Sequence, residues 1–229
     1  MRRSRSQGGL GAAIACLAAS ILAAGPPALK GWGLAHDPDG DCRFEQAGDK
    51  LTIRVPGSLH DLGADDGQAN APVVLAPARG EFIAMVKVSG EVRPGPEPAV
   101  ADGPAYSGTG LLIRADRGNF VRLERAGLIR DGNFVTYANF EYFSRGRRAV
   151  SEGLRLADVP IHLRLERRGK IVYASTSQDG VNWSSFPPVQ VELPDESRVG
   201  VAAVNTATKP FTAELESFRV FTRSDVGRE

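Results

Sequence analysis

The chain has little cysteine: Cys16 and Cys42 are the only two among its 229 residues. If the N-terminal segment is removed, as argued below, Cys42 stands alone and no intramolecular disulfide can form. No motif supplies Cys42 with a histidine partner, so we expect a small buried side chain there and not a nucleophile.

The sequence also lacks an excess of charge of either sign, because its formal net charge is +1. Loss of the N-terminal arginines would turn this charge slightly negative. A near-neutral chain has no bulk field to attract nucleic acid or an anionic membrane. We therefore expect no nucleic-acid partner and recognition through local groups.

Several common enzyme motifs are missing from the sequence. It contains no phosphate-cradling glycine loop, no paired-cysteine motif, no nucleophile elbow and no zincin helix. These absences disfavour the common enzyme classes. The composition itself is that of a globular chain, with 42% hydrophobic and 24% charged residues.

The N-terminus has the pattern of a secretory signal. Arg2, Arg3 and Arg5 precede an apolar run from Leu10 to Leu22, and small residues follow. We expect a signal peptide over residues 1–25 and export to the periplasm, cell surface or medium. The alternative is an uncleaved anchor, although the run is shorter than the ~20 residues of a membrane span. The mature chain is expected to have no transmembrane helix.

Beyond residue 42 the sequence alternates with period two, which predicts strands with one buried face. Turn signals such as Asp179-Gly180 separate the strands. Arrays of short strands without helical segments form sandwiches or barrels. The apolar positions lie at Leu51/Ile53/Val55, Phe82/Ala84/Val86/Val88, Leu111–Ile113, Val121/Leu123, Phe134–Phe143, Ile161/Leu163/Leu165, Ile171/Tyr173, Val189/Val191/Leu193, Val199/Val201 and Leu215/Phe218/Val220/Phe221.

These patterns predict an all-β chain with a single folded domain. We expect a lead-in over residues 26–31, a β-sandwich of two antiparallel sheets over 32–223 and a tail over 224–229.

Several short sequence segments, taken in their order along the chain, resemble one known family. They are Asp37–Cys42, Val55-Pro56-Gly57, His60-Asp61-Leu62, Asn70-Ala71-Pro72, Tyr106–Leu112, Asn119–Arg125, Phe140-Glu141, Leu163–Arg167, Ser177–Trp183, Val199-Gly200-Val201, Asn205-Thr206 and Pro210-Phe211. The set is similar to the concanavalin A-like family often labelled "regulation of enolase protein". The resemblance implies a jelly-roll sandwich of the lectin/glucanase type over residues 32–221. It implies no settled activity, because fold does not determine function.

Three alternating acids, Asp37, Asp39 and Asp41, form the phrase Asp-Pro-Asp-Gly-Asp. Calcium prefers several carboxylate and carbonyl oxygens, and acids in a turn can supply them. The alternative is a solvated acidic turn whose side chains bind nearby backbone amides. Both interpretations stay open, so calcium is a candidate cofactor.

Two predicted strands carry Arg-x-Glu on their polar faces, at Arg122/Glu124 and at Arg164/Glu166. Side by side in one sheet, these charges would form a cross-strand ladder. Such a face could instead line a sugar-binding groove. The groove candidates are Phe120, Arg122, Glu124, Asn139, Glu141, Arg164 and Glu166, with Tyr106 and Tyr137 among the aromatic side chains that could stack on a sugar.

A glucanase would need two carboxylates across the scissile bond. Retaining glucanases of this fold carry a Glu-x-Asp-x-x-Glu strand, which is absent here. Glu124 and Glu166 each precede an arginine. We expect the adjacent bases to hold the pKa of both acids low, which suits an ion pair better than a general acid.

The pair His60-Asp61 follows a predicted turn and could contact a ligand or metal. The alternative is a loop histidine that caps local backbone. Asn70 and Asn205 are predicted hydrogen-bonding groups near strand ends.

The residues leave three functions open. The first is an exported carbohydrate-binding or cell-surface module without catalysis, whose partner would be a polysaccharide or glycan. The second is a glycoside hydrolase or lyase. The third is a structural or protein-interaction domain. We favour the first, because a chain of this length leaves few insertions to build a deep active site.

Overall fold

The computed structural model describes residues 27–63, 69–130 and 132–222. The predicted signal peptide and C-terminal tail lie outside these ranges. The strands are β1 (Ala28–Leu29), β2 (Gly33–His36), β3 (Arg43–Ala47), β4 (Lys50–Val55), β5 (Val73–Arg79), β6 (Phe82–Val88), β7 (Ala105–Arg114), β8 (Phe120–Arg130), β9 (Asn133–Ser144), β10 (Arg147–Arg155), β11 (Ile161–Arg168), β12 (Ile171–Ser177), β13 (Ser184–Ser185), β14 (Val189–Gln190), β15 (Glu196–Asn205) and β16 (Phe211–Thr222).

The strands form two antiparallel sheets. The first has the order β1-β2-β5-β15-β7-β8-β9-β10. The second has the order β13-β12-β11-β6-β16-β4-β3, with β14 also paired to β12. This arrangement confirms the predicted all-β sandwich. Among the described residues, no helix is long and apolar enough to cross a bilayer.

The main core lies between the sheets, where the inward residues of each strand meet. Leu163 and Leu165 of β11 face Leu111 and Ile113 of β7, and all four are fully buried. The period-two pattern of the sequence produces this core, because alternate side chains of a strand lie on one face.

A second apolar cluster covers the opposite side of the first sheet, which we call its outer face. Leu112 and Phe120 lie there with Ala202, and the segment between β4 and β5 contributes Leu62 and Ala71. Part of the outer face is therefore buried under this segment, which helps to enclose the site described below.

Several strands were not predicted from the sequence. The patterns gave no strand at β1, β2, β3, β5 or β10. The expected lead-in contributes β1, because Ala28 pairs with Leu34. The mostly polar β10 is exposed along nearly its whole length, so hydrophobic periodicity could not reveal it.

The predicted phase of β12 was wrong. Ile171 and Tyr173 were expected to be the apolar positions, but they are 40% and 36% exposed. Val172 and Ala174 occupy the core instead. The turn after β11 sets this phase by pairing Val172 and Ala174 with Arg167 and Leu165, which lie on the buried face.

We predict that Leu165→Ala lowers the free energy of unfolding by about 2–5 kcal/mol, because it removes buried methyl groups and leaves a cavity. Urea denaturation followed by tryptophan fluorescence would measure the change. Val181→Ala is the control, since Val181 is 76% exposed. An equal effect of both substitutions would contradict the assigned core.

Candidate functional site

Two neighbouring strands bring four predicted site residues together on the outer face. Arg122 and Glu124 of β8 lie opposite Glu141 and Asn139 of β9, respectively. Residues directly opposite in an antiparallel pair point to the same face. A cross-strand ladder of charges therefore forms, but it joins β8 to β9 and not to the strand that carries Arg164 and Glu166.

Arg122 is the centre of this group. Its Nε and Nη2 both lie 2.6 Å from Oε2 of Glu141. Its Nη1 is 3.5 Å from Oε1 of Glu124 and 3.7 Å from Oδ1 of Asp61. Burial lowers the pKa of Arg122, but the charges of Glu124, Tyr106 and Glu141 outweigh it and raise that pKa overall. The guanidinium is a fixed positive charge.

Glu124 is 1% exposed and accepts a hydrogen bond of 2.5 Å from the hydroxyl of Tyr106. Its pKa is raised because burial outweighs the charge of Arg122. The expectation of a low pKa for this acid was therefore wrong. Arg125 follows Glu124 in the sequence but does not pair with it, because its guanidinium bonds to Asp158 and to the carbonyl of Gly90.

Glu141 has the opposite balance. Burial raises its pKa, but the charge of Arg122 and hydrogen bonds from Arg148 and Arg122 lower it overall. Its Oε1 accepts 3.1 Å bonds from Arg148 Nη1 and Ser151 Oγ. Two neighbouring acids thus have pKa values shifted in opposite directions.

Tyr106 needs Gly108 beside it. A Cβ at Gly108 would lie 2.7 Å from the Tyr106 hydroxyl. The absence of a side chain there lets the tyrosine lie along β7 and reach Glu124. Burial raises the pKa of Tyr106 well above its usual value, so it remains a hydrogen-bond donor at neutral pH.

Arg122, Glu141 and Tyr106 border a cavity of about 350 Å³ on the outer face, whereas Glu124 lies outside its lining. Tyr137 forms an aromatic wall, and burial raises the pKa of its hydroxyl to about 12. The rest of the lining consists of Asp61, Pro104, Tyr106, Leu128, Val204 and Thr206 together with Arg122, Asn139, Glu141, Arg148, Ser151 and Gly153. A mixed polar and aromatic concavity of this size is typical of small-ligand sites.

The structure separates Arg164 and Glu166 from this cavity. They lie on β11 of the second sheet, so the two Arg-x-Glu strands do not share a sheet. Glu166 pairs with Arg164 at 2.7 Å and with Arg168 at 2.6 Å. Their place in the candidate groove is corrected to a surface ion-pair cluster, because period-two alternation cannot tell which sheet a strand joins.

Phe120 and Asn205 also lie outside the cavity lining. Phe120 shares its strand face with Arg122, as predicted, but it is 1% exposed and stacked on Phe143. Asn205 is fully buried; its Nδ2 donates to the carbonyls of Pro56 and Lys209. Both side chains act in packing and loop anchoring.

The pair His60-Asp61 divides between two environments. The Asp61 carboxylate lines the cavity. His60 is fully buried, and its backbone bonds to that of Asn205. Asn70 lies behind Asp61: its Oδ1 accepts from the Asp61 amide, and its Nδ2 donates to Asp39. Asn70 thus positions Asp61.

Each of the three carboxylates of the acidic turn has a different partner. Asp37 accepts a 2.7 Å bond from the backbone amide of Cys42, as the solvated-turn alternative expects. Asp39 accepts from Asn70, and Asp41 lies 3.0 Å from Nε2 of His60. A calcium site on these acids stays a prediction.

Sequence reasoning missed the wall formed by β10. Arg148, Ser151 and Gly153 line the cavity from a strand that carries no hydrophobic alternation. Only the pairing register of β9 and β10 places them at the cavity, since Ser151 lies opposite Glu141 and Gly153 opposite Asn139.

Comparisons with known proteins were made for the whole chain. No family profile matches it, and no curated protein matches it. Among solved structures, a functionally unknown protein from Saccharomyces cerevisiae has 14% identity and a TM-score of 0.61, with 79% of this chain and 91% of that chain covered. The two folds are alike.

Two larger proteins also contain this fold. The GH43 BlXynB protein from Bacillus licheniformis has 12% identity and a TM-score of 0.55, with 78% of this chain covered. Xylan beta-1,4-xylosidase from Bacillus halodurans C-125 has 12% identity and a TM-score of 0.52, with 82% covered. This chain spans 38% and 39% of their lengths, respectively. The fold that these proteins share with this chain is a jelly-roll sandwich of two antiparallel sheets.

We predict opposite pH dependences for Glu141→Gln and Glu124→Gln. A lowered pKa means that charged Glu141 stabilises the fold above its usual pKa of 4.5, and that this stability is lost as the pH falls. The cost of Glu141→Gln, about 3–5 kcal/mol at pH 7, should therefore shrink in acid.

A raised pKa means the reverse for Glu124: its contribution is present below pH 4.5 and is lost as the pH rises. Relative to wild type, Glu124→Gln should become less costly toward neutral pH. Thermal unfolding of the three proteins between pH 3.5 and pH 7 measures both slopes. Slopes of the same sign would refute the opposite pKa shifts.

Proposed function

We propose that the chain is exported and binds polysaccharide or glycan in the outer-face cavity, without catalysis of its own. The observation that carries this proposal is a cavity wall of rigidly held polar groups beside an aromatic ring. Asn139, Glu141 and Asp61 offer hydrogen-bonding groups, and Tyr137 offers a flat apolar surface. A sugar presents hydroxyl groups at its rim and C–H groups on its faces, so it needs both.

The polar groups are fixed before any ligand arrives. Glu141 is held by Arg122, Arg148 and Ser151, and the Asp61 carboxylate accepts a 2.7 Å bond from the backbone amide of Leu62. Side chains that are already ordered lose little conformational entropy on binding. Arg122 Nη1 is buried between Glu124 Oε1 at 3.5 Å and Asp61 Oδ1 at 3.7 Å, so its charge helps to hold both carboxylates in place.

Two further observations support the proposal. Two solved structures with this fold are those of a GH43 protein and a xylan beta-1,4-xylosidase, and both names denote carbohydrate enzymes. The N-terminal pattern supports export of the chain, where it would meet extracellular polysaccharide. Membership of the family labelled "regulation of enolase protein" remains a proposal resting on the sequence phrases.

We predict that Gly153→Leu weakens glycan binding at least about tenfold, because its side chain would project into the cavity. A Cβ at Gly153 would meet only Tyr137 Cδ2 at 3.9 Å, an ordinary contact, so the strand should keep its conformation. Affinity electrophoresis on a panel of plant, algal and bacterial polysaccharides, followed by calorimetry on the retained ones, measures the effect.

Glu152→Leu is the matched control, since it introduces the same side chain on the opposite face of β10. It should leave binding unchanged. No retention of the wild type on any polysaccharide, or equal loss in both variants, would refute the assignment of this cavity.

One observation favours glycoside hydrolysis as a second candidate. Glu124 and Glu141 have pKa values shifted apart, the pattern expected of an acid and a base that share a site. Against it, Glu124 is 1% exposed and hydrogen-bonded to Tyr106. Glu141 already accepts hydrogen bonds from Arg122, Arg148 and Ser151. Neither acid is free to move a proton to a ligand.

We therefore predict that the wild type releases no reducing sugar above a protein-free blank from any polysaccharide it binds. Glu124→Gln and Glu141→Gln are the diagnostic variants, and Glu166→Gln is the control on the second sheet. Release that falls in the first two variants and persists in Glu166→Gln would establish the hydrolase instead.

A further inference from the structure

Three side chains with different ligand chemistry converge at the turn before β3. Donor atoms of Asp41, Cys42 and His60 all lie within 4.8 Å of one another. His60 Nε2 is 3.0 Å from Asp41 Oδ1, and Cys42 Sγ is 3.6 Å from the same oxygen. Asp39 Oδ2 is 4.0 Å from His60 Nε2 and provides a fourth donor.

The buried ring of His60 places Nε2 beside the two carboxylates. Its side chain is only 1% exposed, and Nδ1 lies 3.2 Å from the backbone carbonyl oxygen of Ser58. If Nδ1 carries the proton, it donates to that carbonyl and Nε2 directs a lone pair toward Asp39 and Asp41; if Nε2 carries the proton, the ring donates to Asp41. With Nε2 unprotonated, a cation between this nitrogen and the carboxylates makes the contact favourable. Metal-ligating histidines commonly have their second nitrogen held by a backbone carbonyl in this way.

The distances suit one small tetrahedral ion. Zinc lies about 2.3 Å from sulfur and about 2.0–2.2 Å from nitrogen or carboxylate oxygen, so its ligand atoms are about 3.2–3.8 Å apart. The separations of 3.0, 3.6 and 4.0 Å need only small side-chain shifts to match. Thiolate and imidazole ligands favour zinc and its neighbours, whereas calcium takes oxygen ligands.

A third carboxylate, that of Asp37, adds negative charge to the same turn. Asp37 Oδ1 is buried and has no hydrogen-bond partner among the described residues. Its other oxygen accepts from the amide of Cys42, which places the carboxylate beside the cluster.

We propose that Asp41, Cys42 and His60, with Asp39 as fourth ligand, bind one divalent transition-metal ion of the zinc class. The ion joins the acidic turn to the segment that carries Asp61, the next residue after His60. Metal binding therefore stabilises one wall of the outer-face cavity, but it does not depend on a glycan.

Titration of the chelator-treated full chain with zinc chloride and with calcium chloride tests the proposal. We expect one zinc ion per chain by calorimetry and a rise in melting temperature with zinc that calcium does not produce. Cys42→Ser should weaken zinc binding at least about tenfold. Asp195→Asn is the control, because it removes an exposed carboxylate outside the cluster, and it should bind as the wild type does.

Cobalt(II) provides a direct readout of the ligands. We expect visible bands of tetrahedral cobalt and a near-ultraviolet thiolate-to-cobalt band in the wild type and in Asp195→Asn. Cys42→Ser should lose the thiolate band, and His60→Gln should weaken cobalt binding.

Circular dichroism checks that each variant is folded. If His60→Gln unfolds, the partly exposed Cys42 decides the question through Cys42→Ser. The proposal is overturned by no zinc binding, by zinc binding that survives Cys42→Ser, or by equal stabilisation with calcium and zinc.

Discussion

Arg122 is the charge around which the outer face is arranged. It lies almost buried on a central strand, and both of its neighbours across and along the sheet are acids, Glu141 and Glu124. A buried guanidinium left without partners would be strongly destabilising. The acids, the tyrosine that bonds to Glu124 and the segment carrying Asp61 are therefore fixed in one arrangement around it. The polar cavity is the exposed edge of that arrangement.

Charge compensation also explains why the two acids differ. Glu141 lies close to Arg122 and also accepts bonds from Arg148 and Ser151, so its charged form is favoured. Glu124 is farther from the guanidinium and more deeply buried, so burial decides its pKa. The sequence places arginines beside Glu124 and not beside Glu141, yet Glu141 has the lowered pKa, because spatial distance and desolvation govern the result. Local sequence cannot supply either quantity.

The sequence predicted the parts of the fold that bury alternating side chains. The strands around Leu51, Phe82 and Ile161 were found because one face of each enters the core. Strand β10 was not found, because a largely exposed edge strand needs no apolar alternation. Glu124 was picked out by the Arg-x-Glu pattern on a polar strand face, and Glu141 as an extension of that face. Their pairing required the β8–β9 register, and the exclusion of Glu166 required knowing the sheet to which β11 belongs.

The buried amide of Asn205 has a consequence for how function would be mapped on this chain. Its side chain bonds to the carbonyls of Pro56 and Lys209 and to the hydroxyl of Ser107. It thereby anchors the strand end next to the segment that carries His60 and Asp61. A mutational scan scored only by retained ligand would rank Asn205 with the cavity residues, although it touches no ligand. Abundance of folded protein, measured in parallel, separates an architectural residue of this kind from a contact residue.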